Sequence, residues 1–180
     1  MVAYRATQVG SITREPGVYV LCDLDEVPVY VGQSVDGIRQ RVQRHLTSAR
    51  SDVIANRQVD VWEIAFVWGY PAPAEHIPAL EAHLFSRFNA LSPLMNGAIL
   101  PDPGPLPFDV PKPQRVQVMT DDEIAIRQHP ALRLPRQAQH YERLLDHIVN
   151  VKDAKELRLA LRAHFDRLQR YHQAFLEPYG

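Results

Sequence analysis

The chain has 180 residues, room for one domain or one domain with a small appendage, and its 46% hydrophobic and 23% charged composition is that of an ordinary soluble protein. A formal net charge of −1 argues against general coating of nucleic acid, so any basic contact must be local. The single cysteine, Cys22, excludes an intramolecular disulfide or a cysteine zinc cluster. No apolar stretch at the N-terminus resembles a signal peptide and no run approaches membrane-spanning length, so the expected setting is cytoplasmic, with no membrane partner.

In chain order, residues 17–22 and 28–33 alternate as two strands, and the acidic run 23–26 between them supplies turn chemistry, giving a β-hairpin. Ile38 to Arg50 reads as a helix with Ile38, Val42, Leu46 and Ala49 on one apolar stripe. Val59 to Trp68 reads as a third strand covered on both faces. Pro78 suits the first turn of a helix running to about Phe88, closed by a turn over 92–97. Six prolines between 101 and 113 predict a stiff extended connector. A short helix over 121–128 follows, then a helical pair over 137–149 and 153–175. The last of these carries a seam of Ala154, Leu157, Leu161, His164, Leu168, Tyr171 and Phe175. The fold class is therefore α+β, an α/β sandwich. It has a small mixed or antiparallel three-stranded sheet flanked by helices, and a C-terminal helical hairpin.

Side chains alternate between sheet faces, so Tyr19 and Tyr30 share a face if the valines beside them fill the core. On the first helix Arg41 and His45 lie one turn apart, at the edge of the apolar stripe, while Arg39 and Arg44 point to solvent. Almost all the cationic charge is arginine, whose planar fork suits phosphate. Glu81 falls inside the apolar stripe formed by Leu84, Phe85 and Phe88. A carboxylate there needs a partner, because burying it alone costs several kcal/mol. Two partners stay open: an arginine, or a hard divalent ion held by one carboxylate and waters.

The runs Gly17-Val18-Tyr19 and Tyr30-Val31-Gly32, with eleven residues from tyrosine to tyrosine, resemble the signature of the GIY-YIG nuclease family. The helix carrying Arg41 and His45 looks like that family's arginine-bearing helix. Leu80-Glu81-Ala82-His83-Leu84 looks like its metal-binding glutamate helix, and Asn96 ends a segment like its terminal asparagine motif. The resemblance covers about residues 10–100. Gln33 departs from members that place a lysine after the second triplet.

The resemblance implies a DNA endonuclease using one Mg2+ or Mn2+ ion per site, held by Glu81, and leaving a 5′-phosphate and a 3′-hydroxyl. Tyr19, Tyr30, Arg41, His45, Glu81 and Asn96 would form the catalytic set, with Gln33, Arg39 and Arg44 touching nucleic acid. It also implies a division into a nuclease domain (1–100), a proline-rich connector (101–120) and a helical extension (121–180). Two alternatives belong to other classes: a nucleic-acid-binding module on the same fold without useful catalysis, and an interaction protein acting through its C-terminal helices. Those helices could pack as an intramolecular hairpin or form a homodimer, and Arg158, Arg162, Arg167 and Arg170 on the last helix read first as solvated charge, with a hold on DNA as the alternative.

Overall fold

A computed structural model describes residues 2–47, 57–96, 98–101 and 103–177. Its elements are α1 (Val2–Ser11), β1 (Gly17–Cys22), β2 (Pro28–Ser34), α2 (Ile38–Thr47) and β3 (Phe66–Pro71), then α3 (Ile77–Leu91), β4 (Gln114–Gln117), α4 (Asp121–Gln128), α5 (Pro130–Asn150) and α6 (Lys155–Leu176). The fold is α+β. One antiparallel sheet has the order β2-β1-β3-β4, which leaves β2 at an edge. Among the described residues no helix is long and apolar enough to cross a membrane.

The hairpin turns as its acidic run requires. Asp23 Oδ1 accepts the backbone N–H groups of Asp25 and Val27, and Glu26 takes a positive φ of 56°. Register then decides the faces. Tyr19 lies opposite Gly32, Val20 opposite Val31, and Leu21 opposite Tyr30. Both tyrosines therefore share a face, as expected. Val18, Val20, Cys22 and Val31 fill the other face against Ile77, Leu80, Leu84 and Phe88 of α3. Val29 departs from the parity argument: a shift in pairing near Leu21/Cys22 puts it in the core on the tyrosine side.

The tyrosine side is equally covered. Ile38, Val42 and Leu46 of α2 pack there with Val9 of the unforeseen α1 and Ile12 just after it. The start of α2 is set by its surroundings. Gly37 turns at φ 116°, where a Cβ would stand 2.5 Å from the Arg14 carbonyl. The freed N–H groups of Ile38 and Arg39 then bond the carbonyls of Glu15 and Thr13. The sequence-read end of α2, with Ala49 and Arg50, lies outside the described residues.

The third strand differs from its expected bounds. It runs Phe66–Pro71, and residues 61–63 are turn. The alternation of residues 59–65 mimicked a strand, but Glu63 is a buried acid facing arginines of α5. The sheet also gains a fourth strand, β4, directly after the prolines, a four-residue segment too short and polar to announce itself. The proline stretch is partly packed: Phe108 stacks on His76 at 4.0 Å, and Val110 leans on the α3-side core.

The largest correction concerns the C-terminal helices. Leu144 and Ile148 of α5 and Leu157, Ala160 and Ala163 of α6 belong to the same core as Tyr19 and Val42. Leu157, His164 and Tyr171 of the seam are buried within the chain. That face is therefore spent on the sheet domain and does not offer a second copy a docking stripe. Arg167, read as solvated, is 2% exposed and bonds Asp23, the Pro28 carbonyl and Ser92 Oγ.

Candidate active site

Tyr19 sits at the centre. Its ring crosses β2 at Gly32, the residue opposite, where a Cβ would fall 2.5 Å from Tyr19 Cζ, 2.9 Å from Tyr30 Cε1, and closer still to the hydroxyl. Glycine is required there by this close approach. The hydroxyl reaches His45 Nε2 at 2.7 Å. The Tyr30 ring lies 6.2 Å from Tyr19 and 5.8 Å from His45, so three rings close on one another. Arg41, one turn before His45, lies close enough to Tyr19 to favour its ionised form, and its Nε is buried without a hydrogen-bond partner among the described residues. Sheet parity and helix phase thus bring Tyr19, Tyr30, Arg41 and His45 together.

Tyr19 is 1% exposed and His45 3%. Burial holds the Tyr19 phenol well above its ordinary range, reinforced by Tyr30 and opposed by Arg41. At neutral pH it is a neutral hydroxyl. Such a hydroxyl donates to Nε2 when the histidine proton is on Nδ1.

Asn96 is tied to β2, and the helix that carries Glu81 packs on the same strand. Asn96 sits on the strand's outer edge, its amide oxygen accepting from Val31 N at 3.0 Å and its amide nitrogen donating to Val31 O at 2.6 Å. Glu81 projects from α3, which packs on β2 from the opposite face of the sheet. It is half-buried and has no hydrogen-bond or ion-pair partner among the described residues. Burial alone raises its carboxyl above the usual range. No arginine among the described residues pairs with it. An orphaned, half-desolvated carboxylate fits a hard divalent cation whose other ligands are water and phosphate oxygen.

Beside the cluster an open cleft of about 320 Å3 is lined by Gln33, Arg41 and Arg44, with Ser34, Asp36 and Gln40. The last three were not picked from the sequence, which offers no signal for them beyond their place between β2 and α2. Gln33 and Arg44 are exposed there as expected. Arg39 differs: it is half-buried, and its Nε donates to the Ile12 carbonyl at 2.6 Å. It ties α2 to the end of α1.

Fold and cluster together define an α+β domain with a polar site built around an edge strand. Residues 15–95 match the family model described as the GIY-YIG catalytic domain. A domain of this family is a nuclease domain, its substrate is nucleic acid, and its members generally use a divalent metal. No curated protein and no solved structure matches the chain.

Proposed function

We propose that this protein is a divalent-metal-dependent DNA endonuclease that cuts by a single-ion mechanism and leaves a 5′-phosphate and a 3′-hydroxyl. The observation that carries the reading is the 2.7 Å contact between Tyr19 and His45, placed beside Arg41 and a basic cleft. Arg41 neutralises the phosphate that enters from the cleft. Tyr19 orients the attacking water. Its raised pKa makes it a poor base alone, so its own proton passes to His45 as it takes one from the water. Tyr30 fixes the ring, and Asn96 holds the outer edge of β2. Glu81 is the sole protein ligand for Mg2+ or Mn2+. When bound, the ion offsets charge on the scissile phosphate and the leaving oxygen.

The test is a cleavage panel over double-stranded, single-stranded and branched DNA and RNA, with magnesium, manganese or chelator. Metal-dependent cutting of DNA is expected, reduced about 10²–10⁴-fold in Tyr19→Phe and lost in Glu81→Ala. Undiminished cutting by both variants sinks the assignment. Salt-sensitive binding without cutting by the wild type makes the chain a binding module.

A further inference from the structure

The C-terminal helix α6 carries two kinds of arginine. Arg167 is consumed by the fold, as described above. Arg162 is exposed and has no ion-pair partner among the described residues. It lines a second cleft, of about 230 Å3, formed by α3, residues 93–96 and 98–99, and α6. Its lining includes Asn96, whose amide bonds Val31 of the edge strand β2.

Its lining is of two sorts. Phe85, Leu94 and Leu159 supply apolar walls, and Asn89, Arg162 and Asp166 supply polar groups. Asn89 spends its oxygen on Leu94 N, which leaves its amide N–H groups to donate. Asn96 keeps one N–H and one lone pair after bonding Val31. Asp166 is an acceptor with no ion-pair partner among the described residues. Flat apolar walls with donors and acceptors at the rim match a nucleobase, which has apolar faces and a polar edge. The volume suits one base and is too small for a duplex.

We propose that this cleft takes a single unstacked base of the substrate strand, which makes α6 part of the nucleic-acid surface. The proposal takes its substrate class from the nuclease reading, and its test uses binding instead of cutting. The full chain is titrated in chelator with single-stranded and branched oligodeoxynucleotides in which one abasic residue is moved along the strand. Removing the base that occupies the cleft is expected to weaken binding about tenfold or more at one position. That penalty shrinks to near unity in Arg162→Ala. It persists in Arg158→Ala, which removes the same charge from a part of α6 outside the cleft. Both arginines are exposed, so neither change disturbs the core. A flat abasic profile, an absence of binding, or equal behaviour of the two variants overturns the proposal. A chain that cuts DNA but gives a flat profile keeps the nuclease reading and loses the base cleft. A chain that shows the Arg162-dependent position but never cuts keeps the cleft and loses the nuclease reading.

Discussion

Two buried polar clusters lie in this small protein, and they are built on opposite principles. Where α5 and α6 meet the sheet domain, opposite charges are paired. Asp23 and Arg167 pair at 2.6 Å with both side chains 2% exposed. Arg133 reaches Asp25 and Glu63 at 2.6 Å each, and Arg136 also pairs with Glu63. Gln137 bonds both Asp60 and Glu63. Around Tyr19, by contrast, three rings surround one arginine that has no carboxylate partner among the described residues and lines a cleft. A network of paired charges holds elements in place. An arginine without a carboxylate can still take up a phosphate. The difference marks which cluster serves the fold and which serves the chemistry.

Substitutions should separate the two. Asp23→Ala strands Arg167 in a buried site and should cost about 3–5 kcal/mol of stability, read from the denaturant midpoint. Tyr19→Phe, equally buried, should cost no more than about 2 kcal/mol while cutting collapses. Comparable destabilisation by both would erase the contrast. Gly32→Ala lies between them. Its methyl group displaces the Tyr19 ring from His45, so cleavage should fall about as far as in Tyr19→Phe, with about 1–3 kcal/mol of overpacking. Wild-type activity in that variant would show that Tyr19 need not lie where it does.

The junction should also carry the pH dependence. His164 donates Nε2–H to the Gln58 carbonyl at 2.9 Å and lies 4.7 Å from His140. Burial pushes His164 down to about 3, and it lowers His140 too. An unfolded histidine titrates near 6.5, so below that pH the unfolded chain binds a proton that the folded chain refuses. Stability is thus full above about pH 6.5 and drains as pH falls toward 3. Between pH 7 and pH 5 the loss through His164 is about 2 kcal/mol. In His164→Gln, which can still donate to Gln58, denaturant midpoints at the two pH values should draw together by that amount. Glu63, raised by burial, works weakly in the opposite sense near its own range. The smallest effects distinguish two neighbouring arginines. Arg44→Ala should lower the salt slope of DNA binding by about 1 without changing the midpoint. Arg39→Ala should cost about 1 kcal/mol of stability through the Ile12 bond, with the slope unchanged.

Much of the candidate site was legible because its geometry is local. Tyr19 and Tyr30 sit on strands joined by a five-residue connection, so strand parity with the valines in the core puts them on one face. Arg41 and His45 are one helical turn apart, and the sequence fixes that spacing through 3.6 residues per turn. Glu81 was visible as an acid within an apolar stripe. Other features had no local signature. The strand reading of 59–65 failed because Glu63 and Gln58 are buried by partners on α5 and α6, 70 and 106 residues away. Arg39 and Arg44 carry the same charge on one helix, and only the position of the Ile12 carbonyl decides which is tied down. The Arg167–Asp23 pair spans 144 residues. Nothing in either neighbourhood marks it, since an arginine on an amphipathic helix reads as solvated until something covers it.

By itself, then, the sequence determined the elements whose causes lie within one turn or one hairpin, and the ordered set of side chains by which residues 15–95 match the GIY-YIG family model. Tertiary structure decided where the residues after 95 pack. Their helices share the Tyr19 core and put Arg162 on a cleft beside Asn96. The physical reason is that burial is a property of what an element meets. Periodicity shows which face a helix will bury, and only the folded chain shows against what.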